Sequence, residues 1–339
     1  MTTTVLTYLD MHTCGEPVRI ITGGYPELTG ATLLEKRREA RDRHDRYRRA
    51  MMLEPRGHAG MYGVIPVAAS HHEAALGVLF IHNEGYSTMC GHATIALGRW
   101  CIESERVAVS EPVTRFAIEA PCGLVHLSCT VSNGKVTNVS FESVPAFVAQ
   151  RDLVVDVPGF GPVTTDIAYG GAFYCILPSQ RLGLDFHQAS LEQLVSAAAA
   201  LTDHVRANIS LSHPTEPDLA FLYGTILTDG VEGTSESANL CIFAERQIDR
   251  SPTGSGVTAR MALDFAKGHV AMRQTRRFRS LTGGVFTGCV TGLVADGPEN
   301  AVTVTVGGQA HVMGEGRFTI EADDRLGWGF PLPGHFPQA

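Results

Sequence analysis

Two stretches of this chain follow one plan, and that echo constrains the fold more than any bulk property. Residues 83–97, NEGYSTMCGHATIAL, leave an apolar segment, pass a glycine-containing turn and enter a helical pattern. Residues 243–262, FAERQIDRSPTGSGVTARMA, do the same. In each, a small nucleophilic or hydroxylic side chain, Cys90 or Thr253, stands just before a glycine at the mouth of a helix. Two similar lobes, each contributing one such mouth, are the expected arrangement.

A helix mouth suits anion chemistry, because its first amides have no intrahelical acceptor and carry the positive end of the helix dipole. A free thiol ionises near pH 8.5, and these amides are expected to pull the Cys90 thiol downward. Gly91 and Gly254 leave room for a carboxylate to approach the backbone. Asp249 is placed to pair with a substrate ammonium, and His92 to position the substrate or the thiolate. Plainer readings stand beside these: Cys90 as a buried cysteine in a turn, Asp249 as a local cap, and His92 as a histidine bonded to its neighbours.

Short apolar segments bounded by turn-formers predict strands at 18–21, 77–82, 116–119, 123–131, 136–141, 173–177, 220–227, 239–244 and 301–306. Helical patterns fall at 93–104, 190–208 and 255–267, the last ending at Gly268. The class is α+β, with more strand than helix. Residues 35–49, EKRREARDRHDRYRR, interleave both charges at spacings of three and four and read as a solvated helix.

A net charge of −8 argues against nucleic acid as a partner. No apolar run approaches the ~20 residues that span a bilayer, and the first residues lack a secretory pattern, so no membrane association and a cytoplasmic address are expected. Eight cysteines at irregular spacing, without CxxC pairs, suggest neither a disulfide framework nor a zinc knuckle. The cluster His71-His72-Glu73 lacks the i, i+4 histidine pair that presents two nitrogens to zinc from one helix face, so no metal site is expected.

MCGHATIALG at 89–98 and DRSPTGSGVTARMA at 249–262 resemble the two active-site motifs of the proline racemase superfamily, in which both key positions are usually cysteine. DMHTCGEPVRI at 10–20, PRGHAGMYG at 55–63, YGGAFY at 169–174 and GVFTG at 284–288 extend the resemblance along nearly the whole chain. It implies a fold like that of diaminopimelate epimerase: two pseudo-symmetric lobes, each a curved β-sheet or barrel around a central helix, with the active site in the cleft between them. The lobes implied are residues 1–147, completed by 312–339, and residues 148–311. It further implies a small imino acid substrate, no metal, pyridoxal phosphate or nicotinamide, and a homodimer. By motif position, Cys90 and Thr253 are the catalytic pair. Gly91, His92, Asp249, Gly254 and Ser255 hold the substrate's carboxylate and nitrogen, and Tyr62 and Phe243 line its ring.

Thr253, where the family usually has its second cysteine, decides the expected reaction. A threonine hydroxyl is a poor acid, so a two-base racemisation fits badly. In trans-3-hydroxy-L-proline the C2 hydrogen and the 3-hydroxyl share one face, so a single thiol can take the proton and return it to the departing hydroxide. The expectation is a cofactor-independent hydro-lyase giving Δ1-pyrroline-2-carboxylate. A proline racemase, a 4-hydroxyproline 2-epimerase and, from another class, a Cys/His hydrolase are the alternatives.

Overall fold

The computed structural model describes residues 3–331 except 234 and 245. Eight strands occur in the first part of the chain: β1 (Thr4–Thr13), β2 (Glu16–Gly23), β3 (Tyr62–Val67), β4 (Ala74–His82), β5 (Tyr86–Ser87), β6 (Val113–Ala120), β7 (Gly123–Ser132) and β8 (Lys135–Glu142). Ten follow: β9 (Phe147–Val157), β10 (Gly161–Tyr169), β11 (Phe173–Pro178), β12 (Leu222–Thr228), β13 (Glu236–Phe243), β14 (Gln247–Asp249), β15 (Thr275–Arg279), β16 (Val285–Leu293), β17 (Val302–Gly308) and β18 (Ala310–Ile320). The helices are α1 (Leu33–Arg43), α2 (Asp45–Met52), α3 (Gly91–Glu103), α4 (Leu191–Asn208) and α5 (Gly254–Ala266).

Strand pairing repeats the echo seen in the sequence. From β1 to β8, neighbours pair antiparallel except β2 with β3 and β4 with β6, which run parallel. From β10 to β17 the order recurs, with β11–β12 and β13–β15 parallel. Each set gains one antiparallel strand at its start, β18 on β1 and β9 on β10. The sets join where β8 pairs with β17. Among these strands, β18 thus carries the chain's end back to its beginning, while residues 332–339 of the expected first lobe lie outside the described residues.

Helices enter both sets at matching points. α3 follows β5, and α5 follows β14. Both are buried along most of their length, as befits a helix wrapped by its own sheet, and α5 buries even its Arg260 and Asp264. α1 and α2 lie between β2 and β3, and α4 between β11 and β12, packing on the outer faces. Among the described residues no helix is long and apolar enough to cross a membrane.

The charged stretch at 35–49 departs from its expected solvated form. It is two helices broken at His44, and a Thr32–Glu35 capping box starts the first. Several of its cations turn inward. Buried Arg48 pairs with Asp45 and donates to the carbonyls of His82 and Asn83, Arg37 donates to the Tyr86 carbonyl at 2.7 Å, and Lys36 to that of Ala68 at 2.6 Å. At the end of β4, Nη1 of Arg48 serves both carbonyls while its Nε and Nη2 grip the Asp45 carboxylate, so one guanidinium uses all three of its nitrogens.

Three core thiols, Cys101, Cys129 and Cys175, have no exposed surface, and burial pushes each to about 12. An unfolded thiol ionises near pH 8.5. Above that pH the unfolded chain sheds protons that the folded chain keeps, so stability declines as pH rises. Together the three lower the unfolding free energy by roughly 5 kcal/mol between about pH 8.5 and 10. Urea unfolding in reducing buffer at the two ends of that range measures the loss, and an unmoved midpoint would mean these thiols are not sequestered.

Candidate active site

The N-termini of α3 and α5 meet at the boundary between the two strand sets. A Cβ built on Gly91 would stand 2.3 Å from the Gly254 Cα, and one built on Gly254 would stand 2.5 Å from the Gly91 Cα. The room these glycines leave is therefore filled by each other's backbone. The close approach of the two helix ends uses the side on which a Cβ would stand, and both glycines also line the cavity beside it.

Around this contact lies a small enclosed cavity. All nine residues singled out in the sequence line it: Tyr62, Cys90, Gly91, His92, Phe243, Asp249, Thr253, Gly254 and Ser255. Met89, Tyr174 and Tyr223 complete the lining and were not anticipated. Only about 10 Å³ is open to the centre of a water-sized sphere, on the order of one water molecule.

Cys90 is the N-cap of α3, in extended conformation, and its sulfur makes no capping hydrogen bond of ordinary geometry, although the Ala93 amide lies near enough to act on it. His92 Nδ1 lies 3.1 Å from Sγ. The Pro17 carbonyl lies near the imidazole, and which partner donates in the Cys90–His92 contact follows the tautomer of the ring. Burial brings His92 down to about 4, keeping it neutral. Burial also pushes the Cys90 thiol well above its ordinary range, and the charge of Asp249 adds to this, while the Ala93 amide and the Tyr62 phenol oppose it. The expected lowering by the helix mouth is thus reversed in the closed cavity, because desolvation of the thiolate outweighs one amide.

Thr253 is the N-cap of α5 and adopts φ 65°, ψ 92°, a strained setting for a β-branched residue. Its buried hydroxyl makes no hydrogen bond of ordinary geometry among the described residues, and the Cys241 thiol lies against it. Strain and an unsatisfied hydroxyl at one residue mark a position shaped by something other than stability. Asp249, at the end of β14, accepts the Ser251 amide at 2.8 Å. Ser255 Oγ and the Tyr174 hydroxyl are 2.7 Å apart. Phe243 stacks on Tyr223 at 5.3 Å, and Tyr62 meets His92 edge-on at 4.8 Å, so aromatic faces close one side.

The cavity thus offers a thiol from one lobe, a hydroxyl from the other, one carboxylate and aromatic walls, a set suited to proton transfer at a small ring. The His71-His72-Glu73 cluster lies elsewhere, exposed in the turn just before β4.

Comparison with known proteins agrees with this architecture. The chain is 51% identical over 337 residues to a trans-3-hydroxy-L-proline dehydratase of Homo sapiens, covering 97% of this chain and 95% of that protein. It is 39% identical to a 3-hydroxyproline 2-epimerase of Burkholderia multivorans, covering 96% and 97%. The solved structure of a hydroxyproline epimerase from Agrobacterium vitis, with bound trans-4-OH-L-proline, superposes with a TM-score of 0.90 at 26% identity, covering 97% of this chain and 95% of that one. The family model for proline racemase matches residues 8–331, nearly the whole length, and the chain belongs to the proline racemase family.

Proposed function

We propose that this enzyme is a hydro-lyase that removes water from trans-3-hydroxy-L-proline to give Δ1-pyrroline-2-carboxylate, with Cys90 as its acid–base group. The observation that carries the reading is the cavity's asymmetry: one helix mouth presents a thiol and the other a hydroxyl. The names of its relatives, such as the human dehydratase, support the same reaction.

In this reading the substrate's cationic nitrogen sits against Asp249. Burial is the largest cause that raises the Cys90 thiol, and Asp249 adds to it. The substrate's positive charge, placed beside both, offsets Asp249 and stabilises the buried thiolate, so that ionisation comes within reach when substrate is bound. The thiolate takes the C2 proton, forming S–H as C–H breaks, and the carboxylate, held by the first amides of α3 and α5, accepts the developing charge. The electron pair then forms C2=C3 as the C3–O bond breaks, and the thiol proton leaves with the hydroxide as water. Moving one proton from nitrogen to C3 converts the enamine to the cyclic imine. Thr253 fills the opposite face and hydrogen-bonds the substrate, while Tyr62, Phe243, Tyr174 and Tyr223 exclude water. The proposal also includes a cytoplasmic homodimer without metal or organic cofactor, and lobes of residues 1–147 with the C-terminal segment and 148–311.

The pure protein, incubated with trans-3-hydroxy-L-proline and no added cofactor, should yield an imine that borohydride traps as proline. The same incubation in deuterium oxide separates a second reading, C2 epimerisation, which the Burkholderia relative favours. Inverted, deuterated 3-hydroxyproline without imine would overturn the dehydratase assignment.

A further inference from the structure

Glu16 is a buried acid that the mechanism leaves unused. It opens β2, directly after a turn whose residues Cys14 and Gly15 both have positive φ. Its side chain is 1% exposed, yet it crosses to the other strand set. Oε2 accepts the Arg250 backbone N–H at 2.7 Å and Nη1 at 3.3 Å. Oε1 is buried and has no hydrogen-bond partner among the described residues. A half-satisfied buried carboxylate is costly and needs a reason to be retained.

Arg250 makes that reason legible. Nη1 also donates to the Gly60 carbonyl at 2.9 Å, so one guanidinium holds two segments of the first lobe. A Cβ on Gly60 would stand 2.8 Å from Nη2. The Arg250 carbonyl is 3.1 Å from the Thr282 hydroxyl, which lies 2.7 Å from the Cys14 carbonyl. Arg250 directly follows Asp249. Asp249 lines the closed inner cavity, while Arg250 and Gly60 line a larger outer one of about 580 Å³. The ion pair therefore stands at the partition between them.

We propose that Glu16 and Arg250 form a cross-lobe latch, two positioning residues that hold the inner cavity shut and aim Asp249 at the substrate's cationic nitrogen. This rests on the reading of Asp249 given above. Charge gives the latch its logic: two carboxylates and one guanidinium leave an excess negative charge in the closed state, and a cationic substrate cancels it. Burial above all, and then Asp249, push Glu16 well above the ordinary carboxylate range, and Arg250 opposes both, so the pair with Arg250 is what favours its charged form in the closed state. Opening the lobes hydrates Glu16 and frees Arg250, and closing on substrate re-forms the pair.

The test is the rate at which iodoacetamide alkylates Cys90, followed by peptide mass spectrometry, in the wild type, Glu16→Gln, Arg250→Met and the double variant. Release of the latch raises the rate by about tenfold in both single variants, and no further in the double, while Cys101 and Cys129 stay protected. Electrostatics alone predicts opposite directions, since one variant removes a negative charge and the other a positive one. A faster Glu16→Gln with a slower Arg250→Met overturns the latch, as does simultaneous labelling of core thiols. Should Arg250→Met fail to fold, Gly60→Ala displaces the same guanidinium without changing charge and is expected to label faster too. With substrate, KM rises more than kcat falls. A wild type that forms no imine would overturn the functional reading and leave the labelling result standing.

Discussion

Cys90→Ser folds as the wild type does, binds the imino acid with an affinity within about threefold, and turns it over roughly a thousandfold more slowly, in the range lost with a general base. Serine preserves the side chain's size and its contact with His92 Nδ1, 3.1 Å from Sγ. What it removes is acidity: an alkoxide is out of reach near neutral pH, whereas a thiolate becomes accessible once the substrate's charge offsets Asp249. Two other groups in the cavity compete for the role. His92, brought down to about 4 by burial, is too weak a base to draw a C2 proton at useful rates. Asp249 is the serious competitor, and the variant decides between them. Steady-state kinetics with calorimetric binding is the measurement. Turnover kept within about tenfold, alongside loss in Asp249→Asn, would move the base from sulfur to carboxylate.

The sequence exposed the site more fully than the fold. Both motifs are continuous, so the residues named from them, together with Tyr62 and Phe243, converge once two similar lobes face each other. Tyr174 and Tyr223 escaped because each sits in a strand read as ordinary core, and nothing in local spacing tells an aromatic that lines a cavity from one that fills it. Strands escaped for a different reason. β18, AHVMGEGRFTI, carries two glycines and is largely exposed, and β5 and β14 are too short to show alternation. The arginines of α1 and α2 misled because charge spacing reveals a helix but not the carbonyls its side chains reach. The thiol's ionisation was misjudged since proximity to helix amides is readable in sequence, whereas desolvation depends on what closes over the sulfur.

Gly91→Ala should lower kcat/KM by at least about a hundredfold, because displacing catalytic groups by an ångström typically has that effect. The added carbon meets backbone on every near side, at 2.3, 2.9 and 3.0 Å from Gly254 Cα, C and N. Carbon atoms pack favourably near ~3.5–4.0 Å, and no side-chain rotation relieves a clash with a helix backbone. The two helix mouths must therefore separate, and with them Cys90 and Thr253, one on each side of the substrate. Gly254→Ala acts from the other lobe on the same gap, so the pair should be less than additive: the first substitution opens the space that the second needs. Gly98→Ala supplies the contrast. Its added carbon would meet Val139 Cγ1 at 2.6 Å deep within the first lobe, two turns along α3 from the mouth. It should cost about 1–3 kcal/mol of stability through overpacking while leaving kcat nearly unchanged. If instead Gly91→Ala and Gly98→Ala lost activity in proportion to their lost stability, the helix ends would matter only as packing, and the cavity between them would cease to be the place where the chemistry is aligned.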